Sequence, residues 1–238
     1  MLSLKPLKTA LKKTVSQGLA DTLAGLGYSE QKKRAAYVKA LDRLEIRIAC
    51  DLNTAGYPKN IIAVNILVFI DLLDVNALGA SLFVPPAVNP ATLWGNIRLF
   101  TPANSAQDTN YYVDLSTHED THLEVLIKDI TLFDQFASSL VDIRKLSNER
   151  LMKTPHLRKN FGTGLTWDYK YGYPQYLSII HALNHEFDDA RLCALHANHL
   201  KAAEKEALLA FIATRSDITQ AKESTDNNSG QHASALDN

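Results

Sequence analysis

His118, Glu119 and His122 stand in the order H-E-x-x-H inside Ser116-Thr117-His118-Glu119-Asp120-Thr121-His122. On a helix, that spacing sets two imidazoles one turn apart, where both reach one zinc ion. The intervening carboxylate then faces the metal-bound water and takes its proton. A third ligand must arrive from another element. Glu149, in Asn148-Glu149-Arg150, is the candidate.

The same residues have a purely structural explanation. Ser116 with Glu119, or Thr117 with Asp120, makes a capping box, and acidic residues in a first turn favour the positive end of the helix dipole. Asp120 places a charge between the histidines, where a buried metal helix would have to desolvate it. The Asn-Glu pair is similar to the third-ligand motif of thermolysin-like enzymes. That resemblance implies peptide hydrolysis by zinc-bound water, with His118, His122 and Glu149 as ligands and Glu119 as base. It breaks at Lys153, where that family has an aspartate that orients a ligand histidine. The zinc hydrolase is therefore the alternative, and the expected cofactor is none.

Two more stretches hold residues able to do chemistry. His181, His185, Cys193, His196 and His199 fall within twenty positions near the C-terminal end. If the chain turns near Phe187, His181 faces Cys193 to His196 on an antiparallel helix. The spacing matches no named zinc module. Phe161 to Tyr176 (FGTGLTWDYKYGYPQY) concentrates aromatics among glycines. Such rings offer large contact area at little entropic cost, so Trp167, Tyr169, Tyr171 and Tyr173 are candidate binding residues, with Arg158 and Lys159 beside them. A basic patch next to aromatics also suits single-stranded nucleic acid. A net charge of -1 argues against that class and against an anionic membrane surface. There is no G-x-S-x-G elbow and no P-loop.

These residues must be positioned by a chain of 238 residues, 46% hydrophobic, which is enough for a substantial core. Leucines and Val15 recur at helix spacing from Leu4 to Leu26, and Gly25 and Gly27 close that helix. Leu44, Ile46, Ile48 and Cys50 alternate with Glu45, Arg47, Ala49 and Asp51, the period of a half-buried strand. Thr54 to Asn60 reads as a turn. Ile61 to Leu73 is nearly all apolar and β-branched, which predicts a central strand. Ala35 to Leu41, Leu93 to Phe100 and Tyr111 to Leu115 are further strand candidates. Leu123, Leu126, Ile127, Ile130 and Phe133 predict a helix, and a second is expected over Ala137 to Leu151.

The predicted fold is α+β: an antiparallel sheet of about four or five strands, an N-terminal helix and a helical C-terminal half. One domain is expected over 1–214. It ends in a helical hairpin (174–214), with Asp188 or Asp189 capping its second arm, and 215–238 is expected to be a disordered tail. Cys50 and Cys193 set no disulfide framework, and the apolar run at 61–73 is too short to span a bilayer. Cytoplasmic localisation with no membrane partner is the expectation.

The order of elements resembles a group of bacterial domains of unassigned function, which open with a helix closing in a Leu-Gly-aromatic turn, here Leu26-Gly27-Tyr28. The resemblance covers about the first 150 residues and carries no catalytic residue across. It implies a neighbourhood of toxin or accessory loci. The expected function is therefore a non-enzymatic, immunity-like or accessory protein that binds another protein of a bacterial toxin or secretion system. The alternatives are the zinc-dependent hydrolase and a nucleic-acid binder.

Overall fold

A computed structural model of the chain describes residues 5–58, 60–85, 91–101, 110–114, 121–147 and 174–233. Helix α1 (Lys5–Gly25) is followed by strands β1 (Ser29–Gln31), β2 (Ala36–Leu41), β3 (Leu44–Asn53) and β4 (Ile61–Leu72). Then come α2 (Leu73–Leu82), β5 (Leu93–Asn96), β6 (Asn110–Asp114) and α3 (Thr121–Ser139). Among the described residues of the C-terminal half lie three further helices, α4 (Pro174–Leu183), α5 (Phe187–His196) and α6 (Ala202–Ala233). The α+β reading stands, with six antiparallel strands among the described residues. No helix among the described residues is long and apolar enough to cross a membrane.

β4 is the spine of the sheet. One edge pairs with β3 along most of its length, from Leu44↔Leu72 to Asn53↔Ala63. The other edge is shared, with β5 on Leu67 to Ile70 and β6 on Ile61 to Asn65. One face of β4 is buried along its length and the other is largely covered, which is why its sequence reads as nearly continuous aliphatic residues. Leu44, Ile46 and Ile48 face the same side as Ile62, Val64, Ile66, Val68 and Ile70, and all are buried.

Helix α3 lies on that face. Its Leu126, Ile130, Phe133 and Ala137 are buried at helix spacing. Two of its acids tether it to the sheet. Asp129 accepts the Tyr111 hydroxyl at 2.6 Å, and Asp134 accepts Tyr28 at 2.9 Å and Lys39 at 2.8 Å. Burial, then the neighbouring carboxylates, push both phenols well above the usual tyrosine range. They therefore stay protonated and donate. On the opposite face Arg47, Phe69 and Trp94 align across three strands, with the Arg47 guanidinium 5.1 Å from the Phe69 ring. Arg47 also bonds Asp71 at 2.8 Å. Asp71 in turn accepts Asn76, and Asn76 accepts Thr92, which fixes the corner between β4 and α2.

Several elements depart from the sequence reading. Leu73, read as the end of the central strand, instead opens a helix over Leu73–Leu82, where Val75 and Gly79 are buried. The strand expected over Leu93 to Phe100 stops at Asn96, whose side chain accepts the Arg98 N–H at 3.0 Å and starts a 3-10 turn. Over its described part, 137–147, the helix expected over Ala137 to Leu151 is not continuous, and 148–151 lie outside the described residues. α3 runs to Ser139, and a 3-10 turn covers Ile143–Leu146. The second arm of the expected hairpin is two helices, broken at Ala197 to Lys201. Glu204 reaches back to the Lys201 N–H at 2.8 Å and also accepts Val84 N–H at 2.8 Å. That closes a new helix start. α6 then continues to Ala233, beyond Thr214 and through 215–233 of the expected tail, with no proline to interrupt it, and 234–238 lie outside the described residues.

Candidate functional site

Helix α4 is buried from Pro174 through Ala182, so it behaves as a core helix rather than an amphipathic one. Its C-terminus closes in a Schellman turn. Glu186 N–H bonds His181 C=O at 2.9 Å, His185 N–H bonds Ala182 C=O at 3.3 Å, and His185 takes the left-handed conformation at φ 63°. This turn throws Glu186 back over the helix end. Its carboxylate meets His181 Nδ1 at 2.7 Å, and His181 is 1% exposed.

Cys193, on α5, is a close enough neighbour of the same imidazole to shift its protonation. Burial alone would lower the His181 pKa. Hydrogen bonds and charge from Cys193 and Glu186 outweigh it and leave the ring raised to about 9. Asp189 joins from the first turn of α5, so that donor atoms of His181, Glu186 and Asp189 all lie within 4.8 Å of one another. Ser178 Oγ donates to Ala190 C=O at 2.8 Å and holds the two helices in this register. A thiol, an imidazole and a carboxylate in sequence can form a nucleophile set. Here Cys193 is buried and does not line the cleft described next.

That cleft, of about 270 Å³, opens where the sheet end, α2, the turn after α3, α4 and α6 converge. Leu72, Val75 and Leu140 are its buried floor, and Leu78, Ile143 and Leu183 are its half-buried walls. Arg43, Asp74, Val141 and Arg215 form an exposed rim. Arg43 is ion-paired with Asp74. Arg215 stacks on Phe211 at 5.7 Å and pairs with no carboxylate among the described residues. Large apolar side chains stay exposed around the opening. Val141 lines it, Leu73 sits between two lining residues, and Ile218 lies one turn beyond Arg215 on α6.

Of the residues singled out by sequence, His118, Glu119, Glu149, Arg158, Lys159, Trp167, Tyr169, Tyr171 and Tyr173 lie outside the described residues. His122 is the second residue of α3. His181 and Cys193 do come together across the α4–α5 turn, while His185 points to Thr219 Oγ1 at 3.1 Å instead. The N-terminal cap position of α5 belongs to Glu186, not to Asp188 or Asp189, because the Schellman turn ends there. Glu186, Asp189, Arg43 and Arg215 are functional candidates that sequence spacing did not single out. No helical period relates residues 181 and 186, so only the turn geometry reveals the pair. Comparison with family models, with curated proteins and with solved structures finds no match to this chain.

Proposed function

We propose that this is a non-enzymatic protein that binds another protein, and that the cleft takes an apolar segment of the partner carrying a carboxylate. The observation that carries the proposal is an apolar floor beside Arg215, a guanidinium with no acidic partner among the described residues. Cofactor and drug-sized ligands fill roughly 300–1,000 Å³. A cleft of about 270 Å³ is better matched to one or two anchoring side chains. Arg43 is already neutralised by Asp74, which leaves Arg215 to meet the incoming acid.

The aromatic run with Trp167, Tyr169, Tyr171 and Tyr173, next to Arg158 and Lys159, is the proposed second contact region. The layout resemblance supports the concrete version, an immunity-like or accessory protein of a bacterial toxin or secretion system.

The test starts from pull-down of neighbouring gene products by the full chain, followed by calorimetry on the partner recovered. Arg215→Glu and Val141→Asp, both at exposed positions, should each weaken binding at least about tenfold, which is ~1.4 kcal/mol. Wild-type affinity in both variants, with circular dichroism unchanged, would remove the cleft from the interface. Unchanged affinity in Trp167→Ala and Tyr171→Ala would likewise remove the aromatic run.

A further inference from the structure

We infer that the α4–α5 turn is a divalent-metal site, with His181 Nδ1, Glu186 and Asp189 as the protein ligands of a zinc-class ion. The set is independent of the binding proposal and shares no residue with the cleft lining. Zinc bonds to nitrogen and carboxylate oxygen are about 2.0–2.2 Å long, so ligand atoms around one ion stand within ~4.4 Å of each other. The three donors here already fall within 4.8 Å, which leaves only a small side-chain adjustment.

The histidine is prepared as a ligand histidine usually is. Nδ1 already faces the Glu186 carboxylate at 2.7 Å, and the ring is held inside the core. Burial and the Glu186 contact fix the ring orientation and point Nδ1 at the carboxylates. The ion would sit where Nδ1 and Glu186 now share a proton. Binding would release that proton to solvent, and the neutral imidazole and two carboxylates then leave two negative charges for a dication to neutralise. His181 is buried while Glu186 and Asp189 are half-buried, so solvent reaches the site from the carboxylate side and completes the coordination shell.

The donor set selects the metal class. One imidazole among oxygens suits zinc, manganese or cobalt, whereas calcium wants six to eight oxygens and magnesium keeps most of its water. The ligands come from both sides of one tight turn, so the ion would tie α4 to α5. The role is structural: a staple across a turn that otherwise relies on a non-glycine residue in the left-handed region.

The experiment uses the full chain without a histidine tag, stripped with chelator and titrated with zinc by calorimetry and with cobalt by visible absorption. One equivalent should bind, and zinc should raise the melting temperature. Asp189→Asn and Glu186→Gln should each weaken binding at least about tenfold and cancel the zinc-induced shift. Both lie at half-buried positions of the turn, and their melting in chelator reports whether the fold survives. His196→Ala with His199→Ala should bind as wild type. No stoichiometric binding at micromolar zinc would overturn the inference. So would binding that survives both carboxylate variants and disappears with His196 and His199, since the ion would then be adventitious.

Discussion

Asp134→Asn tests how α3 is held to the sheet. The carboxylate accepts Lys39 Nζ through both oxygens, at 2.8 and 3.0 Å, and Tyr28 at 2.9 Å. The side chains of Lys39 and Asp134 are 17% and 10% exposed. Breaking a fully buried ion pair from one side costs about 3–5 kcal/mol, mostly because the remaining charge loses its partner. Lys39 keeps some access to water and can lean outward, which trims the cost to about 2–3 kcal/mol. Lys39→Met leaves the carboxylate with Tyr28 as a donor and should cost less, about 1–2 kcal/mol. The two changes remove one interaction, so the double variant should be more stable than additivity predicts by at least ~1 kcal/mol. Urea unfolding of the four proteins measures all three quantities. An Asp134→Asn cost below ~1 kcal/mol, or strict additivity, would show that apolar burial alone docks the helix.

Two further outcomes follow from local geometry. A Cβ on Gly79 would stand 2.6 Å from Tyr176 Cε1 and 2.9 Å from Phe83 Cζ, two rings locked edge-to-face at 5.4 Å. Gly79→Ala should therefore cost about 1–3 kcal/mol in urea unfolding despite the better helix propensity of alanine, and a stabilised variant would mean the rings move aside freely. In metal-free protein, the folded-state pKa of His181 is raised from 6.5 to about 9, so protonation of the ring stabilises the native state. That stabilisation is complete below pH 6.5 and disappears as pH climbs through about 9, a loss of ~3 kcal/mol. Glu186→Gln should flatten the profile, and parallel curves for variant and wild type would refute the pairing.

The sequence alone determined the sheet spine and the helix that opens the chain. Alternation over Leu44 to Cys50 and the β-branched run from Ile61 are period signals, and β3 and β4 lie where those signals put them. Gly27 was legible as a helix stop because its φ of 87° is a conformation glycine adopts without cost. Leu73 to Leu82 was not legible. Asn76 and Gly79 are poor helix formers, and the helix exists because Gly79 lets the Tyr176 ring approach from a segment a hundred residues away.

The candidate site divides the same way. The sequence brought His181 and Cys193 into view, because facing positions on two antiparallel helices can be counted. Tertiary structure decided that His185 turns away and that Glu186 and Asp189 take its place, because a left-handed residue at 185 reverses the chain direction. It also decided the cleft, whose lining comes from Arg43 at one end of the chain and Arg215 at the other. Periodicity reports which face of an element is buried. Which faces meet is set by long-range packing, and that information sits in no local window.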